Sequence, residues 1–442
     1  MPYNMMSESV LNNVWERRAA SFAGSKLVEN IECDHLIIGA GFTGLSMAYH
    51  LLRRAGSRKK VVVIDARELG AGASGRNSGM LGPGIGAQYY LLEKRYGRLQ
   101  AKALFQQTLD AVKYSIGLIE RENFDCDMVI GSQFKVATNA ANEKRLRQEA
   151  LALNRAEFNT AMLEGDAIRN IVNAPAYHFG LEYRGTATIN PAKLLFAMAS
   201  QVTSLGGKIY LNAPCQALQR HCATSHGIKI RFERAVAATN GYAPLLGMQP
   251  GRVIPVSTSL LLSAPMSGAQ RSALGMARQH AIIDSRRIFN YFRLTPDHRL
   301  LFGGGVPFYS SAAVMARQFK HMPEPAAFCE RLSADLQRYL PQLGGLAIEQ
   351  FWSGTIGVTL DNFPVVSINE GTVDAVLGCC GHGLALSLAY GAIYAEQRGT
   401  IMREDYPWRR TNAPYLSPAP LLPLASNGYI QFLRWRDRRD ER

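Results

Sequence analysis

The sequence predicts a mixed α/β fold in which a Rossmann-like domain with parallel strands is interleaved with an antiparallel β domain. Three observations predict it. A strand, a glycine-rich corner, a helix and a second strand follow one another over 35–65, and such a β-α-β unit implies parallel strands. The pattern from 253 to 306 is that of strands alone. Residues 376–396 then return to an apolar strand and a helix rich in glycine and alanine.

The composition is that of a packed globular protein. Of the 442 residues 47% are apolar and 19% are charged, which excludes a disordered or fibrous chain. The net charge of +14 raises nucleic acid or an anionic membrane as partners, but the basic residues are scattered, so we expect no nucleic acid. Seven cysteines without a CxxC pair predict no metal site and no disulfide framework, which favours reduced thiols in the cytoplasm.

The order of the elements predicts how the chain divides into domains. Helices are expected at 90–121, 141–156, 191–206 and 326–340, and a hairpin at 288–302. The predicted units are a leader without a signal peptide at 1–30, a nucleotide-binding domain from 31–120, 185–245 and 350–400, a β-rich substrate domain from 121–184 and 246–349, and a basic tail at 401–442.

The corner after the first strand fits the G-x-G-x-x-G fingerprint of dinucleotide-binding proteins. Its glycines permit a tight turn and a close approach of the backbone to a pyrophosphate, and the following helix N-terminus favours negative charge. An acid 21 residues after the last glycine ends the next strand, where it would accept a hydrogen bond from a ribose hydroxyl. The candidates for cofactor contact are Gly39, Gly41, Phe42, Thr43, Gly44 and Asp65. The alternative is a corner that serves packing alone.

The loop over 71–81 favours FAD over NAD, which the corner cannot distinguish. It is small and rich in backbone donors, so it can lie along a pyrophosphate and reach an isoalloxazine ring. Arg76 adds a cation there or makes a surface salt bridge. The candidate residues are Ala73, Ser74, Arg76, Asn77, Ser78, Gly79 and Met80.

These motifs resemble the D-amino-acid oxidase superfamily of flavoproteins, and within it the group of gamma-glutamylputrescine oxidase and glycine oxidase. The similar segments are GAGFTGLS at 39–46, the acid and arginine at 65 and 67, ASGRN at 73–77, TINPAKLL at 188–195, TNGY at 239–242, WSGTIGVTLDNFP at 352–364 and GHG at 381–383. The resemblance implies FAD contacts at Ala66, Arg67, Thr239, Asn240, Gly241, Gly354, Gly381, His382, Gly383, Leu384 and Ala385.

Two departures from the pattern of monomeric sarcosine oxidases refine what the resemblance implies. The cysteine that holds flavin covalently in those enzymes would fall near Gly354. The lysine that binds a carboxylate would fall at Ala385. The resemblance therefore implies a non-covalent FAD and an amine, rather than a simple amino acid, as the substrate.

The implied activity is that of an oxidase that takes a hydride from the carbon next to an amine nitrogen. The resulting imine hydrolyses to an aldehyde or keto product, and O₂ is reduced to H₂O₂. The helix after Gly383 would stabilise negative charge on the ring, and His382 either fixes the turn or acts near the ring. Tyr291 and Arg293 share one face of the hairpin, where they would bind a polar or anionic substrate group or lie on a solvated sheet edge.

Other readings of the sequence stay open. One is a dehydrogenase that passes electrons to a quinone, and the aromatic and basic segment 429–435 would then touch a membrane surface rather than pack on its own domain. Another is a non-catalytic or nucleic-acid-associated flavoprotein. Neither the oligomeric state nor the substrate amine follows from the sequence.

Overall fold

The computed structural model describes Trp15 and residues 22–55, 59–276, 278–317, 325–368, 371–396 and 409–441. Most of the predicted leader and the start of the predicted tail therefore lie outside the described residues. The strands, in chain order, are β1 (Ile31–Ile38), β2 (Val61–Ile64), β3 (Met80–Leu81), β4 (Val129–Val136), β5 (Thr160–Glu164), β6 (Phe179–Thr188), β7 (Lys208–Tyr210), β8 (Ala217–Gln219), β9 (Cys222–Ser225), β10 (Ile228–Ala237), β11 (Ile254–Pro265), β12 (Ala281–Asp284), β13 (Asn290–Leu294), β14 (Arg299–Tyr309), β15 (Ile348–Val358), β16 (Val365–Ser367) and β17 (Val373–Leu377).

The helices alternate with these strands along the chain. They are α1 (Phe42–Ala55), α2 (Tyr89–Tyr96), α3 (Arg98–Arg121), α4 (Ala140–Arg155), α5 (Asp166–Arg169), α6 (Pro191–Ser204), α7 (Gly268–Leu274), α8 (Ala312–Arg317), α9 (Pro325–Tyr339), α10 (Gly383–Glu396) and α11 (Leu422–Asp440). Short 3₁₀ turns lie at Ala73–Gly75, Asn240–Leu246, Pro341–Leu343 and Ala419–Leu421.

The first sheet has the order β16-β17-β10-β1-β2-β7, and β8 and β9 extend it beside β10. Neighbouring strands from β17 to β7 run parallel. All four residues of β2 are buried, as expected for a parallel strand that is covered on both faces. On one face of this sheet, α1 and α10 are in close contact. The Ser46 hydroxyl donates to the Leu388 carbonyl at 2.6 Å, and a Cβ on Gly391 would collide with Ser46.

The second sheet has the order β15-β11-β14-β13-β12-β4-β6-β3, with β5 beside β6. Its described pairs are antiparallel except β12 with β4. One face carries a buried apolar cluster that includes Phe134, Phe292, Phe302 and Leu336 of α9. The predicted mixed α/β class, with a parallel sheet and an antiparallel β part, is thus confirmed.

Two sequence predictions about elements were wrong. The stretch 253–306 contains the helix α7, which begins with a capping box formed by Ser267 and Gln270. The helix predicted over 90–121 is interrupted at Gly97, whose φ of 77° ends α2 before α3 begins. In both cases a local backbone signal overrides the hydrophobic pattern.

The division into domains stays a prediction. The two sheets draw their strands from alternating segments of the chain, and the predicted boundary at 350 falls inside β15, which pairs with β11 of the second sheet. None of the helices in the described part of the chain combines the length and the apolar character that a membrane crossing needs. Across the same residues, no cluster of three or more His, Cys, Asp or Glu side chains could hold a metal ion.

Candidate functional site

The first glycine turn lies at the carboxyl end of β1, between β2 and β10. Gly39 has a φ of 112°, and its N–H donates to the Ile64 carbonyl at 2.8 Å. A Cβ on Gly39 would lie 2.7 Å from the Ala238 carbonyl oxygen, and a Cβ on Gly44 would collide with the Gly39 carbonyl. The turn therefore needs glycine for its backbone conformation and for the close approach of its neighbours.

Asp65 follows β2 and closes one side of this turn. Its carboxylate accepts hydrogen bonds from the N–H groups of Ala40, at 2.8 Å, and Arg67, at 3.0 Å. The Arg67 guanidinium carbon lies 4.9 Å from the centre of the Tyr242 ring. The acid predicted to bind a ribose is thus beside the glycine turn, as the β-α-β geometry requires.

The loop after β2 lies on the N-terminus of α1. The Ser74 hydroxyl accepts a hydrogen bond from the Phe42 N–H at 3.0 Å, and a Cβ on Gly41 would lie 2.8 Å from that hydroxyl oxygen. Within the loop, the Asn77 amide donates to the Ser74 carbonyl at 2.9 Å and accepts from the Gly79 N–H at 2.8 Å. Predicted cofactor residues 42, 74, 77 and 79 therefore form one hydrogen-bonded unit, and Gly41 lies against Ser74.

Three large side chains hold this loop from outside. The indole N–H of Trp352 donates to the Arg76 carbonyl at 3.0 Å, and that of Trp15 donates to the Asn77 carbonyl at 3.0 Å. Arg293, which is 2% exposed, donates through Nε to the Ser78 carbonyl and through Nη2 to the Ile189 carbonyl, both at 2.6 Å. The loop is therefore fixed by the second sheet and by the segment before β1.

Tyr291 and Arg293 share a face of β13, as the alternation predicts, and this face points away from the Phe292 core. Burial lowers the pKa of Arg293 to about 9. Because the Arg293 guanidinium already donates to carbonyl groups, the geometry favours a role in holding the loop over the predicted contact with an anionic substrate. Tyr291 packs with the apolar cluster around Trp352.

Asn240 joins three segments that are far apart in the sequence. Its side-chain oxygen accepts hydrogen bonds from the N–H of Gly357, at 3.2 Å, and of Cys379, at 2.9 Å. Its side-chain nitrogen contacts the Cys379 sulfur at 3.3 Å. Asn240 has a φ of 48°, a left-handed conformation that asparagine tolerates better than most residues. The predicted segment 239–241 thus meets Gly357 of β15 and Cys379, two residues before the predicted Gly381. The predicted Gly354 lies instead against Arg76 and Ala73 of the loop.

The second glycine turn leads from β17 into α10. Cys380 and Gly381 have φ angles of 51° and 82°, and α10 begins at Gly383. The His382 ring contacts the Cys380 carbonyl through Nδ1 at 3.2 Å, and its other side lies against Gly84. Burial and the positive charge of Lys135 lower the pKa of His382 to about 4, so the imidazole is neutral at neutral pH.

The two glycine turns lie at the same edge of the first sheet. Gly39 approaches Ala238, and Asn240, two residues further on, accepts a hydrogen bond from the Cys379 N–H. In an open parallel sheet, ligands bind outside the carboxyl ends of the strands, where the strand order reverses. The geometry therefore forms a candidate nucleotide site that extends from Asp65 to His382.

Comparisons with known proteins agree with this geometry. A model of the DAO family, described as FAD-dependent oxidoreductases, matches residues 34–397. The chain belongs to the DAO family. The predicted resemblance to this family and the prediction of an FAD-dependent oxidoreductase are thus confirmed.

Individual relatives cover most of the chain. The probable oxidoreductase OrdL of Rhizobium meliloti (strain 1021) is 28% identical over 373 residues, 83% of this chain and 82% of that protein. Gamma-glutamylputrescine oxidoreductase of Escherichia coli (strain K12) is 29% identical over 389 residues, 86% of this chain and 87% of that protein. The glycine oxidase structure from Geobacillus kaustophilus shares the fold, with a TM-score of 0.71 at 18% identity over 86% of this chain and 98% of that one.

The residues of this DAO-family site fit FAD. The glycines at 39, 41 and 44 let this turn pack closely against Ala238, Ser74 and its own backbone at the N-terminus of α1. The Thr239 hydroxyl beside them is buried and has no hydrogen-bond partner in the described part of the chain, so a ligand group can satisfy it. Asp65 offers a carboxylate to a ribose, and the N-termini of α1 and α10 offer N–H groups to negative charge.

Sequence reasoning named no site residue in β4, the strand that carries Gln133 and Lys135. Gln133 occupies the space beside Gly82, and Lys135, two residues further on, lies on the same face of the strand. The Lys135 ammonium is 5.8 Å from the centre of the Tyr183 ring, and its charge acts on His382. The alternation over 134–138 predicted the strand, but no local signal tells which face meets the nucleotide domain.

Proposed function

We propose that this DAO-family chain is an oxidase of small amines or amino-acid derivatives. It would remove a hydride from the carbon next to the amine nitrogen, and the imine product would hydrolyse to an aldehyde or keto compound. The observation that carries the proposal is that the first and second glycine turns come together around Asn240 at one edge of the first sheet. The names of the relatives, a gamma-glutamylputrescine oxidoreductase and glycine oxidases, support an amine as the donor.

Bound FAD would supply the hydride acceptor and would pass both electrons to O₂, which gives H₂O₂. The chain supplies binding, orientation and the exclusion of water. A partly buried site disfavours an ammonium ion, so the substrate would enter as the neutral amine. His382 would carry no positive charge beside the substrate, because its pKa of about 4 keeps its ring neutral.

The two glycine-rich segments have separate roles in this proposal. The first turn, with Asp65 and the loop at 73–79, would hold the ribose and the pyrophosphate. The N-terminus of α10 would stabilise negative charge on the ring, because the first N–H groups of a helix have no partner within the helix. We propose that FAD is bound without a covalent bond, since Gly354 stands where a flavin-linking cysteine would be expected.

Lys135 is our candidate for the side chain that holds a polar or anionic group of the substrate. It takes the role first assigned to Arg293, whose donors are directed at the loop. We expect Lys135→Met to raise the KM of substrates with a carboxylate about tenfold, the value of one charge-assisted hydrogen bond, and to leave uncharged amines unaffected. Lys144→Met, on the exposed face of α4, is the control. Equal effects on both substrate classes would contradict this role.

Peroxide release tests the oxidase activity directly. The purified yellow holoenzyme is mixed in air with a panel of primary amines, secondary amines and amino acids, and H₂O₂ and carbonyl product are measured in parallel. We expect equal amounts of both from an amine. Acid precipitation should release the FAD into the supernatant, as a non-covalent cofactor requires.

A second measurement separates the oxidase from a dehydrogenase. Each substrate is also added without oxygen, and the loss of the yellow absorbance is followed. A substrate that removes the yellow colour without oxygen, but produces no peroxide in air, would assign the chain to the dehydrogenases. A chain that neither retains nor binds FAD would overturn the enzymatic proposal altogether.

A further inference from the structure

Helix α11 packs on the molecule through one face only. Its buried residues follow helical spacing at Leu422, Ser426, Ile430 and Asp437. The Asp437 carboxylate accepts hydrogen bonds from the N–H groups of residues 287 and 288, at 3.1 and 2.9 Å. The predicted packing of this segment on its own fold thus agrees with the structure.

The opposite face of α11 is apolar and open to solvent. Leu424 is 76% exposed and Trp435 is 55% exposed, and Leu421 and Phe432 lie on the same side. At 100° per residue the side chains of Leu424, Phe432 and Trp435 fall within about a quarter of the helix circumference, opposite the buried stripe. Leu421 is the residue directly before the helix. We call the four side chains, with Arg436 and Arg439, the outer face of α11. Four large apolar side chains on one exposed stripe mark an interaction surface rather than scattered surface residues.

The charges of α11 are divided between its two faces. Its carboxylates point inward, where Asp437 and Asp440 bind Arg287 at 3.0 and 2.7 Å. Two of its arginines remain outside, where the guanidinium carbons of Arg436 and Arg439 lie 5.9 and 5.4 Å from the ring centres of Phe432 and Trp435. Arg434 instead donates to the Pro307 carbonyl of β14. The outer face is therefore apolar and cationic, with one carboxylate beside it, that of Asp440, 3.9 Å from the Arg439 guanidinium, and the whole chain carries a net charge of +14.

We propose that the outer face of α11 docks on the surface of an anionic lipid bilayer. A helix that lies in the interface buries leucine and aromatic side chains at the boundary of the acyl chains, while arginines contact lipid phosphates. Trp435 suits this boundary, because indole combines an apolar ring with a polar N–H. The inference goes beyond the proposed oxidase function and does not rest on it.

A second copy of the chain fits this surface less well. A two-fold contact would bring together two copies of the same face, which doubles the number of arginines in the contact and adds no carboxylate beyond Asp440 to pair with them. An anionic bilayer supplies the complementary charge to every arginine at once.

Co-sedimentation of the full-length holoenzyme with vesicles tests the proposal. One vesicle is phosphatidylcholine alone, and the other contains equal parts of phosphatidylcholine and phosphatidylglycerol. We expect binding to the anionic vesicles, weakened by salt. Leu424→Ser with Trp435→Ser should weaken it about tenfold, the effect of the lost apolar burial. Leu99→Ser, at a leucine that is 89% exposed on α3, should bind as the wild type does.

Two further variants identify the contacts. Arg436→Gln and Arg439→Gln should each weaken binding to anionic vesicles about fivefold. Brominated lipids should quench Trp435 fluorescence, and Trp435→Phe should keep the binding while losing that quenching. Equal binding of the Leu424→Ser, Trp435→Ser double variant and the wild type would overturn the proposal. The proposal would also be overturned if the wild type did not bind anionic vesicles. A wild-type dimer in solution that the same double variant dissociates would overturn it as well.

Discussion

Arg293 carries a charge into the interior, where its hydrogen-bond acceptors are backbone carbonyls and Asp127 supplies the opposing charge. Its Nε and Nη2 atoms donate to residues 78 and 189, and its guanidinium carbon lies 5.2 Å from the centre of a Trp15 ring. A planar guanidinium can serve several such acceptors at fixed angles, which a lysine ammonium cannot. We therefore assign Arg293 to positioning of the cofactor loop.

Arg293→Lys tests this assignment. We expect the free energy of unfolding to fall by about 1–3 kcal/mol, because buried carbonyls lose their donors, and the FAD content to fall with it. At saturating FAD, the KM for the amine should match that of the wild type. Arg184→Lys, at an exposed arginine, is the control. A raised KM with normal FAD content would instead support the substrate contact predicted from the sequence.

The protonation of His382 makes the free energy of unfolding depend on pH. The unfolded chain takes up a proton at a histidine near pH 6.5, whereas the folded chain does so at His382 only near pH 4, because of burial and Lys135. Between these values the unfolded chain binds more protons, so the free energy of unfolding falls as the pH falls. His50, with a pKa of about 4, adds to the same window.

We expect His382→Gln to reduce this pH dependence. Urea unfolding from about pH 7 to about pH 4.5 should show a smaller loss of the free energy of unfolding in the variant than in the wild type. His178→Gln, at an exposed histidine, should keep the wild-type slope. An unchanged slope in His382→Gln would show that its ring titrates normally in the folded chain.

At the scale of elements, the contact between α1 and α10 sets the second glycine turn beside the first. The α10 sequence is apolar on all sides, which agrees with its burial between α1 and α3. Its one mid-helix glycine, Gly391, lies where a methyl group would collide with the Ser46 backbone. Glycine here permits the close approach of two helices, whatever its cost in helix propensity.

Gly391→Ala and Gly117→Ala form a matched pair of helix substitutions. The first should lower the free energy of unfolding by about 1–3 kcal/mol through overpacking. The second should raise it by about 0.5–1 kcal/mol, because a Cβ there meets no atom within 4 Å and alanine favours the helix. Thermal or urea unfolding measures both. A tolerated Gly391→Ala would mean that α1 and α10 are further apart than described.

At the scale of the whole molecule, ion pairs tie the C-terminal helix to the second sheet. Asp437 and Asp440 both bind Arg287, and Asp440 also binds Arg145 of α4 at 2.8 Å. Asp437 further accepts from two backbone N–H groups. The last helix therefore belongs to the folded unit and is not an appendage.

Asp437→Ala should weaken the attachment of α11 to the rest of the fold. We expect a loss of about 3 kcal/mol in the free energy of unfolding, because two backbone N–H groups lose their acceptor and Arg287 keeps only Asp440 as an ion-pair partner. Asp110→Ala, on the exposed side of α3, should change it by less than about 0.5 kcal/mol. Protease digestion should cut the α11 segment of the Asp437 variant first. Equal stability of the two variants would contradict the coupling.

The sequence predicted much of this fold because the decisive signals are local. Glycine spacing in the first turn, the acid after β2 and the apolar period of the helices depend on residues close together in the chain. The same local view missed α7 and the break at Gly97, where a capping box and a left-handed glycine outweigh the hydrophobic pattern.

By itself, the sequence determined the parallel β-α-β unit, the family and the FAD chemistry that follows from it. Only the tertiary structure decided which polar groups meet. The Ser78 carbonyl that accepts from Arg293 is 215 residues away in the sequence. The Cys379 N–H that donates to Asn240 is 139 residues away. Local sequence limits backbone conformation and buried faces. Hydrogen-bond partners across segments are chosen only when the two sheets and their helices pack, because most buried polar groups must then find a partner.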